Sequence, residues 1–99
     1  MKYDIRQEEA KLFVHVEGEL DTRTSPEFER AFFPALKGIK ETELNLDGLD
    51  YLSSAGLRVL LGAAKMLEEA GGSLVVKNVG ENVMDVLRVT GFDEVLTIE

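Results

Sequence analysis

The chain has 99 residues, 44% hydrophobic and 30% charged, and no cysteine. That length supports one domain with one modest core, and the lack of cysteine excludes disulfides, thiolate catalysis and zinc–thiolate sites. A net charge of −8 repels nucleic-acid phosphates and anionic lipid, so neither is expected as a partner, and a protein with a basic face is the electrostatic complement.

No apolar run approaches the roughly 20 residues of a membrane span, and the opening MKYDIRQEEAKLF lacks the apolar core of a signal peptide. A cytoplasmic, monomeric protein is expected. In chain order, residues 2–7 set Tyr3 and Ile5 against charged neighbours and predict a short edge strand. Residues 11–18, KLFVHVEG, predict a stronger strand, with Leu12, Val14 and Val16 on one face and Phe13, His15 and Glu17 on the other. The short EEA connection makes the two a hairpin. DTRTSPEF then reads as a helix start. Thr24 or Ser25 caps it, Pro26 fits the first turn, and Glu27 and Glu29 suit the positive end of the dipole. Phe28, Phe32, Ala35 and Leu36 follow at helical spacing, and Pro34 is expected to kink or end the helix.

After the loop KGIKET, residues 42–47 alternate, with Leu44 and Leu46 inward. LDYLSSAGLRVLL, residues 49–61, reads as the end of a strand, two serines and the start of the clearest helix. Its stripe is Leu57, Leu60, Leu61, Ala64 and Leu67, and Gly71 and Gly72 end it. SLVVK is a short buried strand. Gly80 and Glu81 open a short helix with Val83, Val86 and Leu87 on one face, and EVLTIE supplies a last short strand. The order β-β-α-β-α-β-α, with that last strand, implies an α/β fold with right-handed crossovers and a mainly parallel sheet behind the hairpin. Amphipathic helices of this kind cover the sheet and leave its other face or its edges for a partner.

Few residues carry catalytic chemistry. His15, the lone histidine, reads first as a half-buried or exposed strand residue and only second as a general base. Asp47 and Asp50 lie close in sequence, but nothing at ligand spacing joins them, so neither metal nor cofactor is expected. Gly71–Gly72 and GEN at 80–82 lack the glycine–lysine signature of a phosphate loop. A nucleophile elbow needs G-x-S-x-G followed by an acid and a histidine. Here no glycine precedes Ser54 at that spacing, and the histidine precedes the serines. The chain is therefore expected to bind rather than catalyse.

Ser53 and Ser54 remain. One serine suffices to cap the helix, worth about 1 kcal/mol. A hydroxyl at a helix N-terminus is also well placed to carry a phosphate, because the free N–H groups and the dipole stabilise the anion. Phosphorylation adds roughly −1.5 to −2 charge and penalises any partner docked over that turn. From the residues alone, cap and switch both stand.

Three stretches, GELDTRTSPEFE (18–29), LNLDGLDYLSSAGLRVLL (44–61) and AGGSLVVKNVGENVMDVLRVTGFDEVLTI (70–98), together resemble the STAS domain family, in particular its bacterial anti-sigma factor antagonists. The middle stretch is the most specific. The resemblance implies one STAS-like domain over 1–99, with a mixed sheet of about four to five strands, an N-terminal hairpin and about three covering helices. It also implies a mechanism. The unphosphorylated antagonist binds an anti-sigma factor with serine kinase activity and frees the sigma factor. The kinase, using ATP, then phosphorylates a switch serine and the antagonist lets go; a PP2C-type phosphatase resets it.

On this resemblance Ser54 matches the switch position, with Ser53 as second choice, and Asp21 matches an aspartate beside the switch at the end of the second strand. The implied partner-binding set is Asp21, Thr22, Ser53, Ser54, Ala55, Gly56 and Arg58. Ser53 stands where many members have aspartate. Arg58 replaces a glycine common in the family and lies four residues after Ser54, where it either pairs with a phosphate or is simply solvated. The family also contains constitutive subunits of transporter, lipid-trafficking and signalling complexes without a phospho-switch, which is the alternative reading.

Overall fold

The computed structural model describes residues 1–99. The two alternating N-terminal segments form the antiparallel hairpin β1 (Lys2–Glu8) and β2 (Lys11–Leu20), with Ile5 opposite Val14 and Arg6 opposite Phe13. The rest of the order is α1 (Ser25–Ala35), β3 (Glu41–Asn45), β4 (Leu49–Leu52), α2 (Ser54–Glu69), β5 (Ser73–Lys77), α3 (Glu81–Thr90) and β6 (Thr97–Ile98). The sheet runs β1-β2-β3-β5-β6, with β4 also on β2, and every pairing after the hairpin is parallel.

Period-two alternation decides which face the helices cover. Leu12, Val14 and Val16 of β2, Leu44 of β3 and Val76 of β5 are buried. Phe28 and Phe32 from α1, Leu57, Leu60 and Leu67 from α2, and Val83 and Leu87 from α3 join them in one 22-residue core. The Phe28 and Phe32 rings stack at 5.0 Å. Full burial of one such side chain stabilises by about 1.5–3 kcal/mol. The opposite face carries Phe13, His15, Glu43, Asn45 and Lys77 and is only partly shielded.

The sheet has six strands, more than the four to five expected, because residues 49–52 form a strand of their own. Along one edge β2 pairs first with β3 and then, after a register shift between Gly18 and Glu19, with β4. The break between β3 and β4 is a turn. Leu49 N–H donates to Leu46 O at 2.9 Å, and Gly48 takes a φ of 88°, open to glycine without strain.

Pro34 ends α1 as expected, the helix closing one residue later, at Ala35. Two smaller expectations shift. The buried face of α2 is Gly56, Leu57, Val59, Leu60, Ala63 and Leu67, so Leu61 and Ala64 sit at its edge, half-buried. Val86 of α3 is likewise only half-buried. The α2 C-terminus closes as expected at the two glycines, with Gly72 N–H donating to Leu67 O at 2.7 Å and Gly71 N–H to Glu68 O at 3.0 Å.

Candidate functional site

β2 and β4 lie side by side and parallel, so the segments leaving their carboxyl ends are neighbours. Asp21–Thr24 leaves one and Ser53–Gly56 the other. In open parallel sheets this end of the strands is where ligands and partners bind. A hydrogen bond joins the two segments, from Ser53 N–H to Leu20 O at 3.0 Å.

The two serines are not equivalent. Ser53 is extended (φ −87°, ψ 173°) and is the N-cap of α2. Its Oγ accepts from Gly56 N–H at 3.2 Å, and the residue is half-buried. Ser54 is the first residue inside the helix, exposed, and its hydroxyl takes part in no hydrogen bond. The N–H groups of Ser54 and Ala55 belong to the first helical turn and have no intrahelical acceptor. Cap and free hydroxyl are thus divided between two adjacent residues.

Gly56 lets α2 come this close. A Cβ there would lie 2.7 Å from Leu20 O, 2.8 Å from Leu20 Cγ and 2.8 Å from Leu52 Cδ1. The glycine is buried against the ends of both strands.

Asp21 organises the opposite loop. Its Oδ1 accepts from the backbone N–H of Arg23 at 2.9 Å and of Thr24 at 3.0 Å, with the Thr24 hydroxyl at 3.2 Å. Its own N–H donates to Thr24 Oγ1 at 2.9 Å. Donation from the Thr24 backbone holds the Asp21 carboxyl below its ordinary value; partial burial opposes this, and the Arg23 backbone, the Thr24 hydroxyl and the Arg23 guanidinium add to it. Asp21 is therefore a fixed anion in a rigid turn. Thr24 sits at the N-cap position of α1 but makes no side-chain cap, because its hydroxyl is turned back toward Glu19 O and Asp21. Ser25, the other candidate cap, is inside the helix and 3% exposed, and its Oγ has no hydrogen-bond partner.

Between the two helix starts runs an open cleft of about 270 Å³ lined by Thr22, Ser25, Pro26, Glu29, Ala55, Arg58 and Val59. The cleft brings together Thr22, Ala55 and Arg58 of the expected set, and Ser53, Ser54 and Gly56 belong to the same turn of α2. Sequence reading missed the cleft itself, together with Ser25 and Glu29. Their mutual i,i+4 spacing was legible, but nothing local says that this edge of α1 faces α2.

The other candidates lie elsewhere. His15 is on the partly shielded face of the sheet, with Nε2 2.7 Å from Asp47 O and 3.7 Å from Glu17 Oε1. It shares no hydrogen bond with either serine. Asp47 and Asp50 are exposed, and no three His, Asp or Glu side chains converge as a metal-binding group. No helix is long and apolar enough to cross a membrane.

The model of the STAS domain family matches residues 2–99. The chain is 28% identical over 95 residues to the anti-sigma-B factor antagonist of Bacillus subtilis (strain 168), across 96% of this chain and 87% of that protein. The unphosphorylated anti-sigma factor antagonist SpoIIAA superposes with a TM-score of 0.86 at 18% identity, covering 99% of this chain and 88% of that one. The phosphorylated Bacillus SpoIIAA gives 0.78 at 17%, over 99% and 91%.

Proposed function

This chain belongs to the STAS domain family, and we propose that it is an anti-sigma factor antagonist whose binding is switched at Ser54. The observation that carries the reading is the division of labour between the serines. Ser53 holds the helix cap, which leaves Ser54 exposed and unbonded beside the Asp21 turn. In the unphosphorylated form the surface formed by Asp21, Thr22, Ser53, Ser54, Ala55, Gly56 and Arg58 docks on an anti-sigma factor that is also a serine kinase. The kinase transfers the γ-phosphoryl group of ATP to Ser54 Oγ, releasing ADP and the hydroxyl proton. The added charge must be desolvated beneath the docked partner, next to the loop that carries the Asp21 carboxylate, and that cost releases the complex. A PP2C-type phosphatase restores the hydroxyl.

The name of the Bacillus subtilis relative and the existence of SpoIIAA in both phosphorylation states support this reading. The test is incubation with the cognate kinase and ATP. Phosphate should appear on Ser54 by mass spectrometry and vanish in Ser54→Ala, and Ser54→Asp should weaken the complex at least tenfold. Phosphate that persists in Ser54→Ala moves the switch to Ser53. A complex indifferent to ATP leaves the constitutive-subunit reading.

A further inference from the structure

Arg58 is an exposed cation without an ion partner: none of the chain's salt bridges includes it. Its position is unusual for a cation. It stands in the second turn of α2, near the positive end of the helix dipole, where cations are mildly unfavourable, and no acidic residue occupies the first turn to offset it. Ser54 lies four residues earlier, and side chains at i and i+4 are surface neighbours. Helical side chains also tend to lean toward the N-terminus, a direction that brings Arg58 within reach of the turn that holds Ser54.

The surroundings supply donors that are not engaged. The Ser53 Oγ has taken the Gly56 N–H, and the N–H groups of Ser54 and Ala55 are left without an intrahelical acceptor. Asp21 does not compete for Arg58, because its carboxylate is occupied by Arg23 and Thr24. In a chain of net charge −8, an unpaired guanidinium and two free N–H groups thus lie at one helix start, with Glu29 of α1, itself in no salt bridge, as the acidic competitor lining the same cleft.

We infer that Arg58 is the receptor for a phosphate on Ser54, closing over it as an intramolecular latch. The inference rests on Ser54 being the phosphate acceptor. Two or three phosphate oxygens are available to the guanidinium, whose fork matches them bidentately. The latch offsets part of the repulsion between the phosphate and the loop that carries Asp21. It also takes the Arg58 guanidinium out of the docking surface, where a partner carboxylate could have used it.

The experiment needs no partner. Phosphoserine is installed at position 54 of the full chain, and the phosphate is titrated by ³¹P NMR. Its second ionisation, ordinarily near pH ~6, should fall lower in the wild type than in Arg58→Ala by about 0.3 unit. Arg58→Lys should recover part of that difference. The Arg58 Nε resonance should move when Ser54 is phosphorylated. Identical titrations in wild type and Arg58→Ala, or an unmoved Nε resonance, overturn the latch. Failure of the switch reading looks different: the phosphate then titrates as a latched group while the modified chain still binds its partner.

Discussion

Replacing Gly56 with alanine puts a methyl group where the structure has no room for one. The new Cβ meets Leu20 O at 2.7 Å, Leu20 Cγ at 2.8 Å and Leu52 Cδ1 at 2.8 Å. One of the three is a backbone carbonyl that also accepts from Ser53 N–H, so it cannot swing aside without breaking the bond that joins the two loops. Alanine in a helix is favoured over glycine by about 1 kcal/mol, whereas overpacking a tight site costs about 1–3 kcal/mol. Three simultaneous contacts, one to backbone, place this site at the upper end, for a net loss of about 2 kcal/mol. For a domain of this size each kcal/mol moves the melting temperature by about 4–8 °C. Gly62, in the same helix, is the internal control. There a Cβ meets only the Phe33 ring, 2.8 Å from Cζ, the far end of a half-buried side chain that can rotate away. Urea denaturation should therefore show Gly56→Ala well below the wild type and Gly62→Ala equal to it or above. If Gly56→Ala is the stabilised one, α2 does not approach the strand ends as described, and the geometry argued for Ser53 and Ser54 fails with it.

Ser53→Ala should lose about 1 kcal/mol with its cap, while Ser54→Ala, which breaks no hydrogen bond, should stay within about 0.5 kcal/mol of the wild type; urea titrations of both read the division directly. Asp21→Asn keeps an acceptor oxygen but removes the charge. Because the folded carboxyl is held below its ordinary value of 3.8, its contribution is complete above that value and is lost as pH falls through the lowered folded one. Asp21→Asn should therefore be less stable than the wild type at pH 7, with the gap closing below about pH 4, as followed by urea midpoints across that range.

The fold was legible wherever periodicity was strong. The hairpin and the helix after the serines follow from alternation or an i, i+3, i+4 stripe, because each must bury one face; SLVVK was legible from its short apolar run, although only Leu74 and Val76 of it are fully buried. The structure departs where tertiary pairing overrode local pattern. Thr24 is a good cap residue by chemistry, yet its hydroxyl is drawn back into the Asp21 turn. Residues 49–52 hold only Leu49 and Leu52 as buried positions, too few to mark a separate strand, and their pairing depends on the Gly18/Glu19 register shift in a distant segment.

That pairing also decides which serine does what. β4 ends at Leu52, opposite Leu20, and the next N–H is spent on Leu20 O. Ser53 is thereby held extended, with ψ 173°, and the helix can begin only after it. Had the strand run one residue further, Ser54 would have taken the N-cap position, and its hydroxyl would have accepted from Leu57 N–H. The first exposed helical position would then have passed to Ala55, which has no hydroxyl to modify. Composition placed two serines at a helix start, but the register of a four-residue strand selects the one left free to react.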